Sequence, residues 1–318
     1  MESLKVLVTG GLGLIGNAIV IKSLLSGDEV TVVDNCSAYE PNTCSNLVKR
    51  LGNDVRFLRE STEAERLIEK FSNDKFDIIY NFGSYSSDRY FESAPTDAVD
   101  STVNGLLNML KIGKALKVGK IVYPSSGTVY GNTPAPQREE QQLSPKTMYS
   151  ATKTYLEMLS SLERDISTVG IRIFTGFGAR ELFKGNLSSV VTLFTLAAIN
   201  DEKIEVYGDG SQKRDFVEVE DVAEVAYRLA RSDKSPLVIN CGSGVSFSFN
   251  ELINLIKANV NKELKIINVQ EKTKFVKETR AGIAKLKDAI DFVPRPLNVV
   301  FPKYFESLSK LLKEIPSR

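Results

Sequence analysis

"VLVTGGLGLIGNAIV", residues 6–20, begins as a short apolar strand, passes through a set of glycines and ends in an apolar run of helical period. Gly10, Gly13 and Gly16 fit G-x-x-G-x-x-G. Such glycines permit a tight turn, close approach of backbone to a pyrophosphate and close packing of helix on strand. A helix opening at Leu14 and Ile15 turns its unpaired N–H groups toward that phosphate. A glycine triplet alone carries little weight; here an acid follows in the right order. Asp34, 18 residues after Gly16, ends the next strand-like run, "VTVVDN", with Asn35 behind it. A carboxylate there accepts hydrogen bonds from a ribose diol and repels a 2′-phosphate, which points to NAD rather than NADP.

Outward from this unit, short runs rich in Val and Ile recur at 4–10, 29–35, 55–58, 76–83, 119–126 and 170–176, each reading as a buried strand. Segments of helical period lie between them at about 14–26, 62–72, 95–117 and 146–168. Alternation of this kind implies right-handed crossovers and a parallel sheet covered on both faces. The expected fold is α/β: a Rossmann-type doubly wound sheet over residues 1–175, completed by a strand, a helix and the strand "PLVINCG" within about 216–240. A smaller, discontinuous C-terminal lobe is expected from 176–215 and 241–318, with a helix near 187–200 and the strand "LKIINV" at 264–269. Ligands of such sheets bind beyond the carboxyl ends of the strands.

Composition narrows the class. Of the 318 residues 42% are apolar and 25% charged, which is ordinary for a globular protein with a sizeable core. The net charge of +1, with Lys and Arg scattered, argues against nucleic acid or an acidic membrane surface as partner. No run of 18 apolar residues occurs and "MESLKVLVTGG" leads straight into a strand, so neither a secretory signal nor a membrane anchor is expected. Cys36, Cys44 and Cys241 are odd in number and lack metal-ligand spacing; reduced thiols in a cytoplasmic protein and no metal site are expected.

The chain contains no histidine, so proton transfer near neutral pH needs another group. In "TMYSATKTYLE" (147–157) Tyr149 and Lys153 are four residues apart, on one face of a helix. "YPSSGTVYG" (123–131) ends a strand just before it, so both lie at the ligand edge of the sheet.

"TGGLGLIG", "DN", "SSGTVYG", "YSATK", "RIFTGFGAR" and "YGDGSQKRDFVEVEDVA", in this order from about residue 4 to residue 300, resemble the extended short-chain dehydrogenase/reductase family, and within it the nucleotide-sugar epimerases of the UDP-glucose 4-epimerase type. The resemblance implies a catalytic set of Ser126, Tyr149 and Lys153, in which Tyr149 exchanges a proton with a sugar hydroxyl while hydride moves to and from the nicotinamide of NAD. An ordinary tyrosine is a poor base at neutral pH, and the Lys153 ammonium together with a positive nicotinamide is expected to lower its pKa. Phe82, Gly83 and Ser84 fall beside the cofactor. Ser126, Thr128, Asn186, Arg214, Lys272 and Thr279 fall on substrate positions, Arg214 and Asn186 at the nucleotide diphosphate and Thr279 beside the sugar's C2 substituent. Lys272 stands where the family has a second Arg, keeping the charge and losing the bidentate fork. A homodimer through the helices at 95–117 and 146–168 is also implied.

Three departures touch the expected pocket: "NFGS" (81–84) in place of "HLAA", Thr102 and Thr175 in place of asparagines. The leading expectation is an NAD-dependent epimerase acting at C4 of a UDP-sugar. The alternatives are a dehydratase, decarboxylase or ketosugar reductase on the same scaffold, and a non-catalytic NAD-sensing protein, which keeps no need for the Tyr–Lys pair.

Overall fold

The computed structural model describes residues 3–39, 41–270 and 276–314. Its first half alternates β1 (Lys5–Thr9), α1 (Leu14–Leu25), β2 (Glu29–Asp34), α2 (Pro41–Leu51), β3 (Val55–Arg59), α3 (Leu67–Lys70), β4 (Ile78–Asn81), α4 (Asp88–Ser93), α5 (Pro95–Leu116), β5 (Lys120–Ser126), α6 (Met148–Leu162) and β6 (Ser167–Ile173). Then follow β7 (Thr175–Phe177), α7 (Val190–Ile199), β8 (Lys203–Tyr207), β9 (Lys213–Glu218), α8 (Val219–Arg231), β10 (Val238–Cys241), β11 (Ser246–Ser248), α9 (Phe249–Val260), β12 (Lys265–Val269), α10 (Ala284–Ile290) and α11 (Leu297–Glu314).

Seven strands form one parallel sheet in the order β3-β2-β1-β4-β5-β6-β10. The period of two in β1 explains its two-sided burial. Val6 and Val8 enter one core with Ile19 of α1 and Val222 and Leu229 of α8, whereas Leu7 enters the other with Leu106 and Met109 of α5. Each such side chain contributes about 1.5–3 kcal/mol relative to exposure. Pro95 at the first turn and Lys117 in the left-handed region bound α5, the long helix behind the ligand edge. Strand order reverses between β1 and β4, so a crevice opens there beyond Thr9 and Asn81.

The smaller lobe joins β11, β9 and β7 in one sheet and β12 with β8 in another. Its core gathers Phe177, Phe194, Phe216, Ile256, Phe301 and Tyr304 from segments far apart in sequence.

Several expectations change. β9 does not return to the main sheet: it pairs with β7 and β11, while α8, which follows it, packs on α1 and β10 pairs with β6. The helix expected over 62–72 shortens to α3, because residues before it turn so that Arg66 and Lys70 both reach the Glu60 carboxylate. The helix expected to 168 ends at Leu162, and Ser167 already begins β6. Helix α2 was unforeseen; its polar sequence buries only Cys44, Leu47 and Leu51. Cys36 and Cys44 are not reduced thiols but a disulfide, Cα–Cα 5.8 Å, closing the turn between β2 and α2; Cys241 is free and buried. An odd count is compatible with one bond and one thiol, and only the fold shows which. Among the described residues no single helix is long and apolar enough to cross a membrane.

Candidate active site

At the crevice the glycines make the tight turn and the close helix–strand packing that their spacing implied. Gly10 has φ +64°, and a Cβ there would lie 2.5 Å from the Phe82 carbonyl oxygen; one at Gly16 would lie 2.1 Å from the Gly10 carbonyl oxygen. The loop therefore closes against β4 and α1 only as glycine. Gly13 caps α1 without a side-chain hydrogen bond and no acid occupies the first turn, so the end of the helix keeps its positive character. Asp34 accepts from the Leu12 N–H (3.0 Å) and the Cys36 N–H (2.9 Å), one on each oxygen, which leaves lone pairs for further donors. Burial pushes its pKa up, against those two backbone hydrogen bonds. Asn35 is spent on Ser61 and Ser37.

A cavity of about 560 Å³ runs from Gly10, Gly13, Leu14, Ile15 and Gly16 past Phe82 and Ser84 to Ser126, Thr128, Tyr149 and Lys153. A smaller hollow of about 100 Å³ continues it to Asp34, Asn35 and Gly83. A phosphate cradle that any Cβ would fill, an acid with spare lone pairs at one end and a tyrosine–lysine pair at the other together fit NAD.

Thr147 and Ser150 cap α6 reciprocally, fixing where the helix starts and so setting Tyr149 and Lys153 on the cavity face, both buried. Lys153 Nζ lies 5.6 Å from the centre of the Tyr149 ring and donates to Ser84 Oγ at 3.3 Å. Ser126, the last residue of β5, accepts from the Thr128 N–H (3.2 Å) and hydroxyl (2.9 Å). Burial dominates the electrostatics. It pushes Tyr149 up to about 12, against a hydrogen bond with Ser126 and helped by the charge of Asp88. It also brings Lys153 down to about 7. The expected lowering of the tyrosine is thus absent from the protein by itself: the ammonium lies over the ring rather than at the hydroxyl, and desolvation outweighs it.

Behind the pair is a buried network. Glu157, one turn beyond Lys153, takes Arg172 Nη2 at 2.7 Å and Nε at 2.9 Å, and also accepts from Ser125 Oγ. Arg172 Nη1 donates to the Tyr130 hydroxyl, which donates to Asn240 Oδ1, both at 2.7 Å. The network ties α6 to the ends of β5, β6 and β10, and thereby sets Tyr149 against Ser126.

The substrate positions divide. Ser126 and Thr128 line the cavity. Asn186 is exposed near its mouth, its carbonyl accepting from Arg89 Nη1, while its neighbours Lys184 and Leu187 line the wall. Arg214 and Thr279 are outside the cavity lining but near each other: Arg214 follows Lys213, whose carbonyl accepts from the Thr279 N–H at 3.1 Å. Lys272 lies outside the described residues. Of the departures, Thr175 lines the cavity, Asn81 is turned to the Thr9 hydroxyl (2.9 Å), and Thr102 is buried in α5. The wall also holds residues no motif marked, chiefly Tyr39, Ser87, Asp88, Arg89, Glu181 and Lys184. For Ser87, Asp88 and Arg89 the one signal was position: 84–90 follows the carboxyl end of β4. Among the described residues no group of three or more His, Cys, Asp or Glu is placed to hold a metal.

Residues 6–242 match the family model described as NAD dependent epimerase/dehydratase family. The chain is 28% identical over 302 residues to the UDP-glucuronate 4-epimerase of Thermodesulfobacterium geofontis, covering 91% of this chain and 90% of that one. It is 29% identical over 300 residues to UDP-glucuronic acid decarboxylase 1 of Danio rerio, covering 91% and 69%. Among solved structures, UDP-N-acetylglucosamine 4-epimerase from Methanobrevibacter ruminantium M1, in complex with UDP-N-acetylmuramic acid, superposes with a TM-score of 0.87 at 26% identity, over 99% of this chain and 100% of that one.

Proposed function

Because the chain belongs to the NAD dependent epimerase/dehydratase family and works with NAD on nucleotide sugars, we propose that it epimerises C4 of a UDP-sugar by way of a transient 4-keto sugar. The observation carrying this reading is that Ser126, Tyr149 and Lys153 meet at one end of a cavity that has the glycine loop at the other. Bound NAD supplies reversible hydride acceptance. Asp34 would hold its ribose, with Asn35 bracing that loop through Ser61 and Ser37; Gly10, Gly13, Leu14, Ile15 and Gly16 would hold its pyrophosphate, and Phe82, Gly83, Ser84 and Lys153 its nicotinamide side.

Tyr149 takes the proton of the C4 hydroxyl, and Ser126 orients that hydroxyl or relays the proton. A tyrosine held near 12 needs a cation to ionise. Lys153 in its ammonium form is the protein's own contribution to that end, since each charge makes the other less costly to bury. On the lobe side, Asn186 and Arg214 serve the diphosphate. Arg214 donates to the Lys213 and Val276 carbonyls through Nη1 alone. Among the described residues its Nε–Nη2 edge is uncommitted, and that edge suits a phosphate.

Loss of water from the ketone needs its own acid–base pair, and loss of carbon dioxide from a 4-keto uronate leaves an enolate that needs a proton donor. In the places directly after Ser126 stand Gly127 and Thr128, and neither ionises near neutral pH. The ketone is therefore reduced again, on either face. In an NMR time course with UDP-glucose, UDP-N-acetylglucosamine and UDP-glucuronate, the accepted sugar should approach equilibrium from either C4 epimer with unchanged mass. A product lighter by water or carbon dioxide overturns the reading.

We also propose a homodimer. Val99, Val103 and Leu107 on α5, and Met148, Tyr155, Met158 and Leu162 on α6, form adjoining apolar stripes; the last two are 60% and 74% exposed, far more than a helix face without a partner needs. A monomeric mass by light scattering at micromolar concentration, with activity retained, contradicts it.

A further inference from the structure

Ser87 and Asp88 stand where the loop after β4 enters α4, on the same cavity wall as Tyr149. Among the described residues nothing hydrogen-bonds to the Asp88 carboxylate or to Ser87 Oγ; Asp88 Oδ1 and Ser87 Oγ are closed off from solvent, which leaves Oδ2 as the carboxylate oxygen on the cavity side. The pair is held firmly, since Phe91 of α4 packs edge-on against the Tyr149 ring at 5.4 Å and α4 packs on α6. Asp88 and Tyr149 line the same cavity, and the Asp88 charge opposes ionisation of the Tyr149 hydroxyl.

The other charged groups on this wall are spent differently. Glu181 accepts from Ser189 and Thr192 and faces Lys184 at 4.0 Å. Arg89 donates to the Asn186 carbonyl, and Lys153 to Ser84. Asp88 lines the cavity with a carboxylate to which no described side chain donates, so its Oδ2, unlike the enclosed Oδ1, is open to a donor that enters.

We infer that Asp88, with Ser87 beside it, determines specificity by accepting a hydrogen bond from a sugar hydroxyl that flanks the reacting carbon. The inference rests on the 4-epimerase reading: with the C4 hydroxyl at Tyr149 and Ser126, the neighbouring hydroxyls are those on C3 and C6. An ionised carboxylate only accepts, so it pairs with a hydroxyl and is left unpaired by an analogue lacking one. A hydrogen bond to a charged group corresponds to roughly 10- to 100-fold in affinity.

The test is calorimetry on the NAD-loaded protein with UDP-glucose, its 3-deoxy analogue and its 6-deoxy analogue. The wild type should bind one analogue about 10- to 100-fold more weakly than UDP-glucose. Asp88→Ala should bind that analogue and UDP-glucose alike, with NAD affinity unchanged. Asp88→Asn, the same shape with an accepting amide oxygen, should restore part of the discrimination, and it reads the same coupling if the alanine variant does not fold. Equal discrimination in wild type and both variants, or none in the wild type, overturns the inference and leaves the 4-epimerase reading standing. Failure of the wild type to bind any UDP-sugar in the wider panel above removes that reading, and this inference with it.

Discussion

At the glycine end of the cavity, backbone geometry dictates residue identity. Gly10 and Gly16 are glycine because a Cβ has nowhere to go, and Asp34 is an acid at the end of a strand whose neighbours are fixed by register. At the lobe end nothing is so constrained. Glu181 and Lys184 reach the wall from a kinked segment, Ala179–Leu187, that breaks at Gly185, ends at Ser188 and is held by a core assembled from β7, α7, β8, α9 and α11. The first region is local and its chemistry follows from spacing; the second is made by distant contacts, and there specificity has room to vary.

The sharpest test of the local end is Tyr149→Phe. It removes the hydroxyl and keeps the ring that packs on Phe91, so fold and NAD binding should persist. Turnover should fall about 100- to 10,000-fold, the range for a lost general acid–base group. Near-normal turnover would remove Tyr149 from the chemistry.

Next comes Glu157→Gln, which asks whether the site's rigidity also belongs to that end. Removing one partner of a buried pair leaves the Arg172 guanidinium unneutralised, at a cost of about 3–5 kcal/mol. Chemical denaturation should show this loss, with turnover falling as α6 loosens from β5. Unchanged stability would mean that Tyr130 and Asn240 hold Arg172 without the carboxylate.

Much of this end was readable in advance: the strands, the glycine loop, Asp34, and the pairing of Tyr149 with Lys153 on one helix face. What was unreadable was electrostatic. Sequence names a lysine and a tyrosine; burial, which moves one to about 7 and the other to about 12, belongs to the packed state. The Cys36–Cys44 bond and α2 were missed for a related reason, because the turn bringing them together follows from where β2 ends and not from any residue pattern. Asp88 carries no signal in the sequence because no motif contains it, and a carboxylate without a donor on a cavity wall exists only in three dimensions.

Arg214→Ala moves the comparison to the lobe. If the uncommitted edge of this guanidinium grips the diphosphate, KM for the UDP-sugar should rise about tenfold or more while kcat holds, since the contact is remote from the reacting carbon. An unchanged KM confines the nucleotide to the cavity lined by Lys184 and Leu187.

The smallest effect is expected from Thr279→Tyr. The resemblance places Thr279 beside the C2 substituent of the sugar, where a bulky residue closes the space an acetamide needs. The structure places its backbone against the Lys213 carbonyl, between Glu278, which accepts from Ser246, and Arg280, which donates its N–H to Gln137. None of these residues lines the cavity that holds Tyr149. A tyrosine at 279 should therefore change the preference between UDP-glucose and UDP-N-acetylglucosamine by no more than about twofold, under 0.5 kcal/mol. A larger shift, read from kcat/KM for the two sugars, would mean that the sugar reaches past the cavity to the strand of Arg214 and that the lobe end, like the glycine end, selects by steric closure.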